Sequence, residues 1–271
     1  MILNKGNTCY LSAALQCIVW TNSIERYIRR STQQTKKEAI LFYKLFSRVR
    51  NSVVCDPDEL YKQIRIFYKP FNNKEQNDAH EAVIVIIEYL RTFMTPIPNT
   101  RYVGSREGCL SWGERHSIVD EIYKVQFENR IQCMHCNHVI LKHECTYGLY
   151  DTFTGLGNHT LPGYICDMCH QTNTCSEYVS VSHYPQTLII RVRPTTNIHK
   201  LTFRFGIFIY TAFAVCRYIP CGKKDSGHYN VGVFQEGKWK LVDDDVVTTS
   251  NVDDILRDAS IMFLTLESRV E

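Results

Sequence analysis

The sequence predicts an α+β protein, helical in its first third and mostly antiparallel β after it. Three observations carry this prediction. Apolar residues recur at helical spacing up to Phe93; from Ile122 onward they alternate; and two Cys-x-x-Cys pairs fall inside the alternating region. With 271 residues the chain can bury a sizeable core, and it reads as one domain over 1–271.

Cys9, Leu11, Leu15, Ile18 and Val19 are spaced for one buried face, which predicts a helix beginning at Cys9. Ala39 to Val49 is a second helical stretch, and Glu59 to Phe67, after the Asp56-Pro57 start signal, a third. The strongest is "EQNDAHEAVIVIIEYLRTF", where Ala79, Val83, Ile86, Ile87 and Leu90 repeat at helical spacing. Asp78 sits near its N-terminus, where a carboxylate suits the helix dipole. A loop rich in Pro, Gly, Asn and Ser is expected from Pro96 to about Gly113. Strand texture follows in "IYKVQFENRIQC", in two runs around Pro185, and in "KLTFRFGIFIYTAFAVCRYI", "HYNVGVFQ", "KWKLVDD" and "SIMFLTLE". There is no repeat and no low-complexity segment.

Composition excludes several classes. A hydrophobic content of 44% with 22% charged residues is not that of a disordered chain. A net charge of +3, with basic residues no denser than doublets, gives no basic face for nucleic acid. The longest apolar stretch, around Phe205 to Cys216, is broken by Gly206 and too short to span a bilayer. Twelve cysteines, four of them in Cys-x-x-Cys pairs, point to metal in a reducing compartment, so a cytoplasmic or nuclear location and a monomer are expected.

Cys133/Cys136 and Cys166/Cys169 form two knuckle-like pairs. Each can place two thiolates on one tight turn, and two such turns complete a tetrahedral zinc site. Four sulfur ligands leave no open position, so one structural zinc per chain is expected. His135, His138 and His170 lie close enough to enter the ligand set, and four reduced thiols that merely pack are the competing explanation.

Cys9 at a helix start would have its thiolate favoured by unpaired backbone N–H groups and the dipole. Asn4 could offer its amide to a developing oxyanion. A base must come from elsewhere in the chain. In "SGHYNVGVFQEGKWKLVDDD", His228 opens a strand and the next strand ends at Asp243-Asp244-Asp245. Adjacent antiparallel strands can bring such a carboxylate to such an imidazole. Taken singly, each of these residues has a plainer explanation: a buried thiol, a satisfied histidine, a solvated acidic turn.

Taken together, the segments resemble a known family. "NKGNTCYLSAALQ" resembles the Cys box of the ubiquitin-specific proteases, papain-like deubiquitinases. "GHYNVGVFQEGKWKLVDDDVV" resembles their His box, "QNDAHEAVIVIIEYL" their Gln-Gln-Asp-Ala-His-Glu helix, and "YPQTLIIRVRP" the strand after the second cysteine pair. With the cysteine pairs these make five blocks in the family's order, from Asn4 to about Val247. The resemblance implies a thumb–palm–fingers fold, with a thumb over 1–115, zinc-tipped fingers over 120–185 and a palm over 186–271. It implies Cys9 as nucleophile, His228 as base, Asp243 as its orienting acid and Asn4 in the oxyanion hole, with Asp244 in support. Asp78 and Glu81 would hold the arginine-rich ubiquitin tail, against the alternative of helix capping, and a narrow channel for Gly-Gly would pass Gly227. The implied activity is hydrolysis after the C-terminal glycine of ubiquitin. A protease for a ubiquitin-like modifier and a ubiquitin-binding pseudoenzyme are the alternatives. The chain has few insertions, as expected of a minimal version from a virus or another compact genome. It departs from the family pattern at Ser12, usually Asn, in the lack of His-x-Gly before Gly227, and in the lack of Lys-Arg-Phe after "LIIRV".

Overall fold

The computed structural model describes residues 1–32, 36–73, 75–94, 117–150, 156–193, 196–222 and 226–269. Helices α1 (Cys9–Val19), α2 (Asn22–Thr32), α3 (Lys37–Arg50), α4 (Asp58–Phe67) and α5 (Ala79–Phe93) come first, and a short α6 (Ile118–Tyr123) precedes the strands. The loop expected at 96–113 lies outside the described residues.

Every residue of α1 is buried, Ser12 and Gln16 included, so the expected single apolar face is a correction. The helix is sequestered because α5 and α3 flank it on the thumb side while the large sheet covers it on the other. By contrast α2 buries only Ile24 and Ile28 of its first eight residues. Two apolar residues in "NSIERYIRRST" give too little periodicity to see in the sequence. Asp78 caps α5 by accepting from the backbone N–H groups of His80 at 2.6 Å and Glu81 at 3.4 Å.

A smaller antiparallel sheet has the order β2-β1-β5-β4, built from β1 (Val125–Cys133), β2 (Val139–Thr146), β4 (Gly157–Thr160) and β5 (Cys175–His183). A larger sheet runs β11-β10-β9-β8-β12-β6-β3, with β7 (Thr202–Phe205) beside β8. Its members are β3 (Leu149–Tyr150), β6 (Thr187–Arg191), β8 (Phe208–Pro220), β9 (Gly227–Gln235), β10 (Lys238–Asp243), β11 (Val246–Ser250) and β12 (Ala259–Arg269), with α7 (Val252–Leu256) before β12. Only the β3–β6 pairing among these is parallel, so β3 belongs to the larger sheet although it falls within 120–185. The strand expected from Ile122 begins at Val125 instead, because the Ser117–Asp120 capping box winds 118–123 into α6.

Alternation along β6 shows how the large sheet is used. Ile189 faces the helical layer, whereas Leu188 and Ile190 face a second core with Tyr210, Val215, Trp239 and Met262. Both faces are therefore covered, and "TLII" is buried throughout. Among the described residues no helix is long and apolar enough to cross a membrane.

Candidate active site

The turn before α1 is built by its own side chains. Asn4 Oδ1 accepts from the Gly6 N–H at 3.1 Å and the Thr8 hydroxyl at 3.0 Å, while Thr8 Oγ1 accepts from the Lys5 N–H at 2.9 Å. Gly6 (φ 79°) and Asn7 (φ 50°) take the left-handed conformation that closes the turn, one that glycine and asparagine adopt most readily. Cys9 is thereby delivered as the first residue of α1, 3% exposed and against β9. Burial pushes its thiol above the ordinary value, and the nearby Asp244 charge adds to this. The backbone N–H groups of Tyr229, Tyr10 and Cys9 itself work in the opposite direction without prevailing. The expected thiolate preference at a helix start is thus overridden by desolvation in the resting site.

The donating N–H of Tyr229 belongs to the residue after His228, which ties the nucleophile's helix to the base's strand. Across the hairpin, β9 and β10 pair with Val231 opposite Val242. That register lets Asp243 Oδ1 reach His228 Nε2 at 2.5 Å. A carboxylate only accepts, so Nε2 is the donor to Asp243 and Nδ1 is the ring nitrogen left for the base role. Asp243 Oδ2 accepts from Asn230 Nδ2 at 3.2 Å. Asp244, at φ 52°, turns the other way, and its Oδ2 accepts from Asn4 Nδ2 at 3.1 Å. Asn4, His228, Asp243 and Asp244 thus form one connected group beside Cys9, although 240 residues separate Asn4 from Asp244.

The four cysteines converge at the far end of the smaller sheet. Cys133 Sγ lies 3.7 Å from Cys169 Sγ, Cys136 Sγ lies 3.7 Å from Cys166 Sγ, and all four sulfurs fall within 4.8 Å of one another. A tetrahedral zinc with Zn–S bonds of about 2.3 Å requires sulfurs roughly 3.8 Å apart. The knuckles are built alike: the residue after the second cysteine, Asn137 or His170, has φ 59° or 57°, and the N–H four residues after the first cysteine returns to that cysteine's carbonyl. The Thr174 hydroxyl and then backbone N–H groups hold Cys133 down at about 5, and backbone N–H groups hold Cys166 below the ordinary thiol value, whereas Cys136, at about 12, and Cys169 are raised, a backbone N–H at each being outweighed by burial and the neighbouring sulfurs. The donor set, spacing and turn geometry fit a closed zinc site, and the three nearby histidines are outside it.

The sequence model for the ubiquitin carboxyl-terminal hydrolase family matches residues 2–264. The chain belongs to that family. It is 23% identical to ubiquitin carboxyl-terminal hydrolase 23 of Arabidopsis thaliana over 98% of this chain and 35% of the relative. It is 22% identical to ubiquitin carboxyl-terminal hydrolase 17-like protein 10 of Homo sapiens over 99% of this chain and 56% of the relative. The chain thus spans between about a third and just over half of these curated relatives. Two solved structures of the Ubp8-containing SAGA DUB module, one bound to monoubiquitin and one to ubiquitin aldehyde, each match with a TM-score of 0.72 at 17% identity, covering 99% of this chain and 69% of that chain. The fold is accordingly the family's papain-like α+β hand: a helical thumb, an antiparallel β palm, and β fingers carrying the four-cysteine cluster.

Within this family member the other residues singled out in the sequence are engaged by the chain itself. Asp78 gives one oxygen to the α5 cap and the other to Arg191 Nη2 at 2.8 Å. Glu81 accepts from the Tyr68 hydroxyl at 2.5 Å. At the start of β9, a Cβ on Gly227 would lie 2.3 Å from the Tyr218 ring, so a larger residue there would have to displace that ring. The Gly227 N–H donates to Gln76 Oε1 at 2.9 Å, tying the strand that carries His228 to the thumb. Ser12, anomalous in the sequence, holds the Tyr61 hydroxyl at 2.6 Å inside the helical core. Sequence reading missed Asn230, Gln76 and Arg191. Asn230 carried a signal, its position two residues from His228 on the same strand face, and Gln76 opens the quoted "QNDAHEAVIVIIEYL" block.

Proposed function

We infer that this chain is a thiol-dependent deubiquitinase that hydrolyses the peptide or isopeptide bond after the C-terminal glycine of ubiquitin. The observation that carries this is a buried Cys9 opening α1 against the strand whose His228 is held by Asp243. His228 Nδ1 takes the Cys9 proton, and the thiolate sulfur attacks the terminal glycine carbonyl. Asn4 Nδ2 has two hydrogens, of which Asp244 uses one; the other is the oxyanion donor together with the Cys9 backbone N–H. The imidazolium protonates the departing lysine amine, leaving a thioester. Water, deprotonated by His228, then releases the ubiquitin carboxylate and restores the thiol. Asp243 fixes the imidazole and supports its positive charge throughout.

Ubiquitin is the partner this chemistry calls for, as it is the molecule bound in the structurally similar Ubp8-containing module. A single zinc in the four-cysteine cluster is structural, because four thiolates fill its coordination shell. The test is steady-state release of a fluorophore from a ubiquitin C-terminal amide. Turnover by the wild type and none by Cys9→Ala supports the proposal; equal absence in both overturns it.

A further inference from the structure

We propose that Asn230 is a positioning residue that sets the tautomer of His228 through Asp243. The inference rests on the catalytic roles given above for those two residues. Asn230 is 3% exposed and lies two residues after His228, on the same face of β9. The two side chains divide Asp243 between them: His228 Nε2 on Oδ1 at 2.5 Å, Asn230 Nδ2 on Oδ2 at 3.2 Å.

The rest of the Asn230 amide explains why this contact matters. Its Oδ1 is buried and has no hydrogen-bond partner among the described residues. Turning the amide over would not relieve this, because it would set Oδ1 against a carboxylate oxygen that can only accept. Asp243 therefore holds the amide in the one orientation that leaves a buried acceptor unpaired, a cost that folded proteins generally avoid. What the arrangement secures is the rotation of the Asp243 carboxylate. Held only by His228 on a half-exposed strand end, it could swing out of the imidazole plane. Anchored at both oxygens, it keeps Oδ1 on Nε2, keeps the proton there, and leaves Nδ1 unprotonated to serve as base.

The experiment is ¹⁵N NMR of the His228 ring in the full chain at a pH where the ring is neutral, alongside kinetics on the ubiquitin C-terminal amide. The wild type is expected to show the Nε2–H tautomer. N230L, alike in branching but without a donor, is expected to show mixed tautomers and a kcat lower by roughly tenfold or more, part of the roughly 10²–10⁴-fold that a general base supplies, with KM within about twofold. A merely structural role would lower stability and leave the tautomer unchanged. Wild-type tautomer and wild-type kcat in N230L overturn the inference. If N230L does not fold, N230A, which removes the donor without adding a charge, is measured in the same way, and an unshifted tautomer there overturns it too. The NMR result stands whether or not ubiquitin is the substrate, so a chain that fails to turn over ubiquitin but shifts its tautomer separates this inference from the functional proposal.

Discussion

Ser12 shows how one buried side chain can be explained only by a partner distant in sequence. Its hydroxyl and that of Tyr61 meet at 2.6 Å, and both residues are nearly inaccessible. Replacing Ser12 with Ala removes this bond and leaves the buried tyrosine hydroxyl to its contact with the Thr8 side chain, which costs about 0.5–1.5 kcal/mol. Ser12→Ala should therefore lower the urea midpoint by a corresponding amount while kcat changes little; an unchanged midpoint would mean that Thr8 satisfies Tyr61 alone. At this scale the sequence singled out candidate residues but did not show how they are held. Cys9, His228 and Asp243 were picked out by the resemblance of their segments, and the β9–β10 hairpin does bring His228 and Asp243 together. The Asn4–Asp244 link, Gln76 on Gly227 and Arg191 on Asp78 join distant segments and leave no local trace. The thiol of Cys9 was misjudged because a helix start favours a thiolate only where desolvation does not outweigh it.

At the scale of elements, the two knuckles and α6 are the testable units. The knuckles hold four thiol groups at the end of a sheet whose local core is little more than Ile131 and the cysteines themselves. With the proposed zinc bound, such a tip would depend on the metal for order. Elemental analysis should find about one zinc per chain, and Cys133→Ser should lower both zinc content and melting temperature. A metal-free protein of full stability would contradict this.

Helix α6 makes a different prediction, through Asp120. This carboxylate is 1% exposed and accepts from the Ser117 N–H at 2.8 Å, the Tyr147 hydroxyl at 3.0 Å and Arg91 Nε at 3.3 Å, with Lys124 Nζ at 3.4 Å. Burial alone would raise its pKa, but the Ser117 N–H and the two cations outweigh burial and hold it below the ordinary value. A depressed folded pKa stabilises the fold above the unfolded value of about 3.9 and loses that contribution as pH falls through the folded value. Urea midpoints measured from neutral pH down to about pH 2 should show Asp120→Asn less stable at neutral pH, with the gap closing in acid. A gap that stays constant with pH would rule out the linkage. Elements missed in the sequence share a cause: α2 buries little, β2 and β11 are exposed edge strands with weak alternation, and β3 and α7 are very short. Periodicity exists only where a face is buried.

At the scale of the whole molecule, the order of helices then sheets, the α+β class and the cysteine cluster were all readable. The way one large sheet serves both cores was not, because continuous apolar runs such as "TLII" do not say which residue faces which layer. That sheet is what joins the chemistry: it presents His228 and Asp243 on adjacent strands and packs α1, with Cys9, against them. The central claim is that this assembly attacks the end of ubiquitin through Cys9. It is tested most directly by incubating the full chain with a ubiquitin whose C-terminus carries a thiol-reactive group, then mapping any adduct by mass spectrometry. The account predicts one ubiquitin per chain, attached at Cys9, with no adduct for Cys9→Ala. An adduct on another cysteine, or the same absence of adduct in wild type and variant, would contradict it.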